Sequence, residues 1–229
     1  MARRLKEEPK PVYTGVRANW FSDEETSRHF EMKKAGLEAV LGPRDDTVLH
    51  AALPFVAGGA LDLYCFRQAL PGTVFATMDL IYPDGQGPQA NRFGTFELAA
   101  CTRLSPGGNQ YALFSDAANR SRLPYEQTEH RIWRMLTRIG HYSQAAVLKP
   151  GDTCEIPNGT KELAWVLLDR FDLGQPFKIG EKFHHLLLCM EIFPVEQEYA
   201  RLNGPAALIH LLKNSGDYPY TDLDRRPVV

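Results

Sequence analysis

The chain has 229 residues, 44% apolar and 24% charged, a mix that excludes a fibrous, low-complexity or disordered protein. Its 26 Lys and Arg nearly cancel 28 Asp and Glu, leaving a formal net charge of −2. So small a charge gives no global pull on phosphate or anionic lipid, and neither nucleic acid nor a membrane is expected as a partner. Met1 to Pro11 lacks the apolar core of a signal peptide, and no run approaches the roughly 18–20 apolar residues that cross a bilayer. Cys65, Cys101, Cys154 and Cys189 form no CxxC pair. Three of them lie in apolar stretches, where a free cysteine acts as a small buried hydrophobe. The expectation is a cytoplasmic protein without metal or cofactor.

Residues 1–14 are basic, contain proline and lack periodicity, so they read as a disordered or extended tail before a single domain over 15–229. Ser22-Asp23-Glu24-Glu25 is a capping box that opens a helix, with Phe30, Leu37, Val40 and Leu41 as its apolar stripe and Gly42-Pro43 as its end. From Val48 to Arg103 the period falls to two. Leu61, Leu63 and Cys65 alternate with Asp62, Tyr64 and Phe66; Val74, Ala76, Met78 and Leu80 alternate with Phe75, Thr77 and Asp79; Phe96, Leu98 and Ala100 alternate with Glu97 and Ala99. That period predicts strands, and the short joints at Gly58-Gly59 and Pro71-Gly72 favour antiparallel neighbours. The longest joint, opening at Pro83-Asp84-Gly85, is expected to be the most mobile.

A second helix is predicted over 126–147 with Ile132, Met135, Leu136, Ile139 and Ala146 on one face. The apolar runs Leu163 to Leu168 and Leu186 to Phe193 suit central strands covered on both faces. Pro194 opens a helix with Glu196 and Glu198 in its first turn. Asn203-Gly204-Pro205 stops that helix and starts another carrying Leu208, Ile209 and Leu212. The order of elements describes an α+β fold, a mixed and largely antiparallel sheet packed with helices. It lacks the βαβ regularity and glycine motifs of a nucleotide-binding fold.

Chemistry-bearing residues are present, and ordinary structural roles account for each. Glu126, Glu129 and His130 could form an acid/base or metal cluster, but acids in a first helical turn explain them and the HExxH pattern is absent. His184 and His185 are adjacent in a strand and must point to opposite faces. No GxSxG elbow occurs. Asp79, Glu97, Glu191 and His50 could build the acid/His pocket of a small hydrolase only if they meet in one cleft. The segment Asp217-Tyr218-Pro219-Tyr220-Thr221-Asp222-Leu223-Asp224-Arg225-Arg226 reads either as a strap over the core or as an edge that accepts an extended peptide.

Taken together, Gly59-Ala60-Leu61-Asp62-Leu63-Tyr64, Thr77-Met78-Asp79-Leu80, Phe93-Gly94-Thr95-Phe96-Glu97-Leu98, Arg131-Ile132-Trp133-Arg134-Met135-Leu136, Pro150-Gly151-Asp152, Leu202 to Ile209 and Tyr220 to Arg226 resemble the suppressor of fused family. Thr95 stands where a glycine is common. The resemblance spans roughly residues 35–229.

It implies a single suppressor-of-fused-like domain acting as a non-catalytic protein-binding module. Animal members restrain a zinc-finger transcription factor by capturing a short extended peptide, and bacterial single-domain members have been proposed as immunity proteins against toxins. The peptide cleft between the two domains of the animal proteins does not carry over to one domain. The expected partner is therefore a protein, either a toxin or an extended peptide segment. Asp79, Tyr82, Phe96, Glu97, Tyr220, Asp222 and Arg225 are the expected partner-binding residues, with the 83–92 loop beside them.

Overall fold

The computed structural model describes residues 3–4, 21–106, 125–157, 163–171 and 176–229. Helices α1 (Asp23–Leu41), α2 (Tyr125–Ala145), α3 (Pro194–Asn203) and α4 (Pro205–Asn214) surround nine strands. These are β1 (Arg3–Arg4), β2 (Arg44–Leu49), β3 (Leu63–Phe66), β4 (Thr73–Ala76), β5 (Phe96–Thr102), β6 (Thr153–Pro157), β7 (Leu163–Arg170), β8 (Phe177–Ile179) and β9 (Lys182–Ile192). The sheet runs β1-β6-β7-β9-β5-β4-β3-β2, and β8 pairs with β9 alone. Only β1–β6 and β5–β9 are parallel among the described pairs, so the sheet is mixed and largely antiparallel. Of the tail anticipated over 1–14, Arg3 and Arg4 pair with Cys154 and Glu155, and the remainder lies outside the described residues.

The period-two pattern of the sequence sorts side chains between two cores. Leu61, Leu63, Cys65, Phe75, Phe96, Leu98 and Ala100 join Leu187 and Cys189 beneath Ile132, Met135, Leu136 and Ile139 of α2. The intervening Tyr64, Phe66, Val74, Ala76, Ala99 and Cys101 join Leu186, Leu188 and Met190 on the opposite face. There they meet Leu37 and Leu41 of α1, Phe177 and Ile179 of β8, Ala200 of α3 and Leu208 and Leu212 of α4. Both faces of β3, β4 and β5 are consequently buried. All four cysteines are buried free thiols.

The capping box holds α1 as anticipated: Glu25 N donates to Ser22 Oγ at 3.2 Å, and Ser22 N donates to Glu25 Oε2 at 2.9 Å. Halfway along α1, Gly36 lets the helix lie directly on β8. A Cβ there would sit 1.8 Å from the Lys178 carbonyl oxygen. Gly72 turns β3 into β4 at φ 94°, a conformation that side-chain-bearing residues avoid. No described helix is long and apolar enough to cross a membrane.

Candidate functional site

The chain between β4 and β5 winds around one carboxylate. Glu97, fully buried on β5, accepts hydrogen bonds from Thr77 Oγ1 (2.7 Å), Leu80 N (3.1 Å) and Ile81 N (3.0 Å). Its counterion is Lys33 of α1, whose Nζ lies 2.9 Å from Glu97 Oε1 and also donates to the carbonyls of Met78 and Ile81, each at 2.6 Å. The ammonium's three protons are all engaged, and so are both carboxylate oxygens. The pair is a clamp that fixes residues 77–82, and it leaves no free proton for acid/base chemistry.

Two imidazoles border the clamp. Nε2–H of His29 donates to the Ile81 carbonyl at 2.9 Å, and Nδ1 of His184 meets Thr95 Oγ1 at 2.5 Å. Burial and the Lys33 charge depress both rings, His184 to about 4, so each stays neutral near pH 7.

Asp79 sits on the outside of this turn, half-buried. Its Oδ2 accepts Asp62 N at 2.7 Å, while Asp62 in turn accepts Ala51 N at 2.9 Å and His50 Nδ1 at 2.8 Å. Burial pushes the Asp79 carboxyl up to about 7, with the charges of Glu97 and Asp62 adding to the rise. From Asp79 the chain reaches the 83–92 loop, whose Asp84, Gln86, Gln89, Ala90 and Arg92 are exposed. Anticipated as the most mobile joint, this loop is tied down at several points. Gln89 N donates to Ser143 O at 2.8 Å, Gln89 Nε2 to Gln144 O at 2.7 Å and Asn91 Nδ2 to Leu148 O at 2.8 Å.

The C-terminal segment folds back as a strap. Thr221 bridges the ends of β5 and β9: its N donates to Cys101 O and its Oγ1 accepts Glu191 N, both at 2.8 Å. Asp222 accepts Thr102 Oγ1 at 2.5 Å and Arg103 N at 2.8 Å. Tyr220 lies under the Arg103 guanidinium, 4.5 Å from ring centroid to Cζ, and donates to Pro71 O at 3.0 Å. Arg225 grips the fully buried Glu196 of α3 with two bonds of 2.5 and 2.7 Å.

The seven residues expected at a partner surface thus divide. Asp79 and Tyr220 keep some exposure, whereas Tyr82, Phe96, Glu97, Asp222 and Arg225 are buried and hold the loop or the strap in place. The acid/His set does not converge. His50 pairs with Asp62 near the β2–β3 edge, Glu97 is sealed on the α1 face, and Glu191 lies on the α2 face, 2.6 Å from Arg131 Nη1. Among the described residues no group of three or more His, Cys, Asp or Glu could hold a metal.

Sequence reasoning missed Lys33 and Asp62. Lys33 had a signal: it stands four before Leu37 and eight before Leu41, a charge on the apolar stripe of α1.

The α+β fold of this chain, a mixed sheet buried on both faces by helices, is shared with solved suppressor of fused structures. The chain superposes on the Sufu–Fu complex crystal structure with a TM-score of 0.58 and 14% identity, over 89% of this chain and 92% of that one. Against the crystal structure of Drosophila Suppressor of Fused the TM-score is 0.57 at 17% identity, covering 86% of this chain and 50% of that one, so this chain spans half the Drosophila chain's length. No protein-family model and no curated protein sequence matches the chain.

Proposed function

We propose that this chain is a non-catalytic protein-binding module, and that it captures its partner with the half-exposed Asp79 and the exposed 83–92 loop. The observation that carries the proposal is the fold shared with a protein solved in complex with another, the Sufu–Fu pair. It is supported by a buried ion pair that fixes residues 77–82 and by the hydrogen bonds of Gln89 and Asn91 that tie down the loop, because a pre-shaped surface binds without the entropy loss of ordering it. In this reading Tyr82, Phe96 and Glu97 position the loop from beneath, Asp222 and Arg225 position the strap, and Tyr220 flanks it.

The β2 edge is the one this reading assigns to main-chain pairing. β2 pairs only with β3, and its outer edge runs past the exposed Asp46 and Thr47. The resemblance to bacterial single-domain members extends the proposal to a toxin as the partner and a cytoplasmic immunity role for this chain. Capture of the full chain from its native cytosol, cross-linked and compared with Asp79→Lys, tests the reading. A stoichiometric protein lost in D79K supports it. Recovery of no stoichiometric protein, or equal recovery by D79K, overturns it.

A further inference from the structure

Where α2 packs against β6, β7 and β9, Arg131, Arg134 and Arg138 line one concave site with Met135, Ile156, Pro157, Ala164 and Glu191. The three arginines fall at i, i+3 and i+7 of α2, so the helix presents them together. Arg131 is partly engaged: Nη1 donates to Glu191 Oε2 at 2.6 Å and Nη2 to Thr221 O at 3.1 Å. Its Nε is buried and finds no hydrogen-bond acceptor among the described residues. Arg134 and Arg138 form no ion pair or hydrogen bond with any described residue. One carboxylate lines the cavity of about 80 Å³ against three guanidiniums, and Asp222 and Asp224 also act on Arg131, so the positive excess rests on Arg134 and Arg138.

We infer that this arginine-lined cavity is a binding site for an oxyanion, phosphate or carboxylate, borne on an apolar stem. Guanidinium donors match both anions with paired N–H bonds, whereas a lone cation site would need oxygens. The cavity is several times the roughly 10–15 Å³ that one water needs, room for an oxyanion group. Met135, Ile156, Pro157 and Ala164 supply the apolar wall against which a stem would lie. The site lies along Arg131 to Arg138 of α2, whereas the 83–92 loop bonds the end of that helix at Ser143 and Gln144, so the two surfaces share no residue.

The test is titration of the 15N-labelled full chain with inorganic phosphate at constant ionic strength, following arginine side-chain Nε–H signals. A phosphoserine peptide and its glutamate counterpart are titrated in parallel. The expected result is saturable movement of the Arg131 Nε–H signal, weakened at least tenfold in Arg134→Gln/Arg138→Gln and partly restored in R134K/R138K. R28Q, which removes an exposed arginine on α1, should bind as the parent does. Tighter binding of a peptide than of inorganic phosphate assigns the site to a partner's side chain, and equal binding assigns it to a free anion. Absence of binding by all three probes, or unchanged binding in the R134Q/R138Q variant with its circular dichroism intact, overturns the inference. Partner capture through Asp79 is read in a separate experiment, so either reading can fail alone.

Discussion

At the scale of single residues, the Lys33–Glu97 pair decides the most. Both groups are sealed from water, and the cost of desolvating them is offset because every donor and acceptor is used. Glu97→Gln should therefore cost about 3–5 kcal/mol in urea denaturation, chiefly by stranding a buried ammonium. K33M/E97Q should recover part of that loss, and a strictly additive double variant would show that the two groups do not act as a pair. Asp79 sets a pH dependence of known sign. Its folded-state carboxyl is raised to about 7, above the range of an unfolded aspartate, so the native state holds that proton more tightly. Between about pH 4 and 7 the unfolded chain has lost the proton while the native one retains it, and stability falls as pH rises through that window. Asp79→Asn should flatten this slope in denaturation series at pH 5, 6 and 7; an unchanged slope would reassign it to another group. Lys33 carried a local signal on the apolar stripe of α1, but Asp79 did not: it alternates like any strand residue, and its partner Asp62 comes from a different strand approach.

Elements were legible wherever one segment carried its own period. Helices α1 to α4 and strands β3, β5, β7 and β9 follow from apolar spacing, and the two alternating residue sets became two cores. Strands β1, β2 and β8 were not legible, because pairing specifies them and local sequence does not. β2 opens with Arg44-Asp45-Asp46, poor strand formers, and shifts register between Arg44 and Val48 against β3. β8 is three residues long and is held by the two-residue turn at Gly180-Glu181 and by α1 lying across it. That crossing gives a test in which two effects oppose. Helix propensity alone says that Gly36→Ala stabilises α1 by about 1 kcal/mol. A methyl placed 1.8 Å from the Lys178 carbonyl must instead push helix and strand apart, at a cost of about 1–3 kcal/mol or more. Sterics should win: thermal scans of G36A should show a lower Tm with helical circular dichroism preserved, whereas a raised Tm would refute the close approach.

Across the whole molecule, the strap joins elements that are distant in sequence. Thr221 bonds β5 and β9, Asp222 bonds the end of β5, Tyr218 reaches Asp169 of β7 at 2.9 Å, and Arg225 closes on α3. The sequence shows the strap's composition, three aspartates, two tyrosines and two arginines in ten residues, but its partners Thr102, Glu191 and Glu196 are scattered between positions 102 and 196. No spacing rule connects them. Arg225 is the outermost of these ties, and its guanidinium also lies 4.9 Å over the Phe193 ring. Removing it leaves Glu196, fully buried, with only the backbone N–H groups of Val228 and Phe193 as donors. A buried carboxylate stripped of its cation costs about 3–5 kcal/mol, a large share of the 5–15 kcal/mol that holds a typical domain. Arg225→Ala should therefore lower the denaturation midpoint equally for both described tryptophans, Trp133 packed on the α2 core and Trp165 packed on the opposite one. R225K should rescue little, because an ammonium cannot reproduce the forked pair of bonds to Glu196. If R225A instead frays the C-terminus while the tryptophan midpoints hold, the strap is an appendage; equal shifts make it part of the cooperative unit that supports both faces of the sheet.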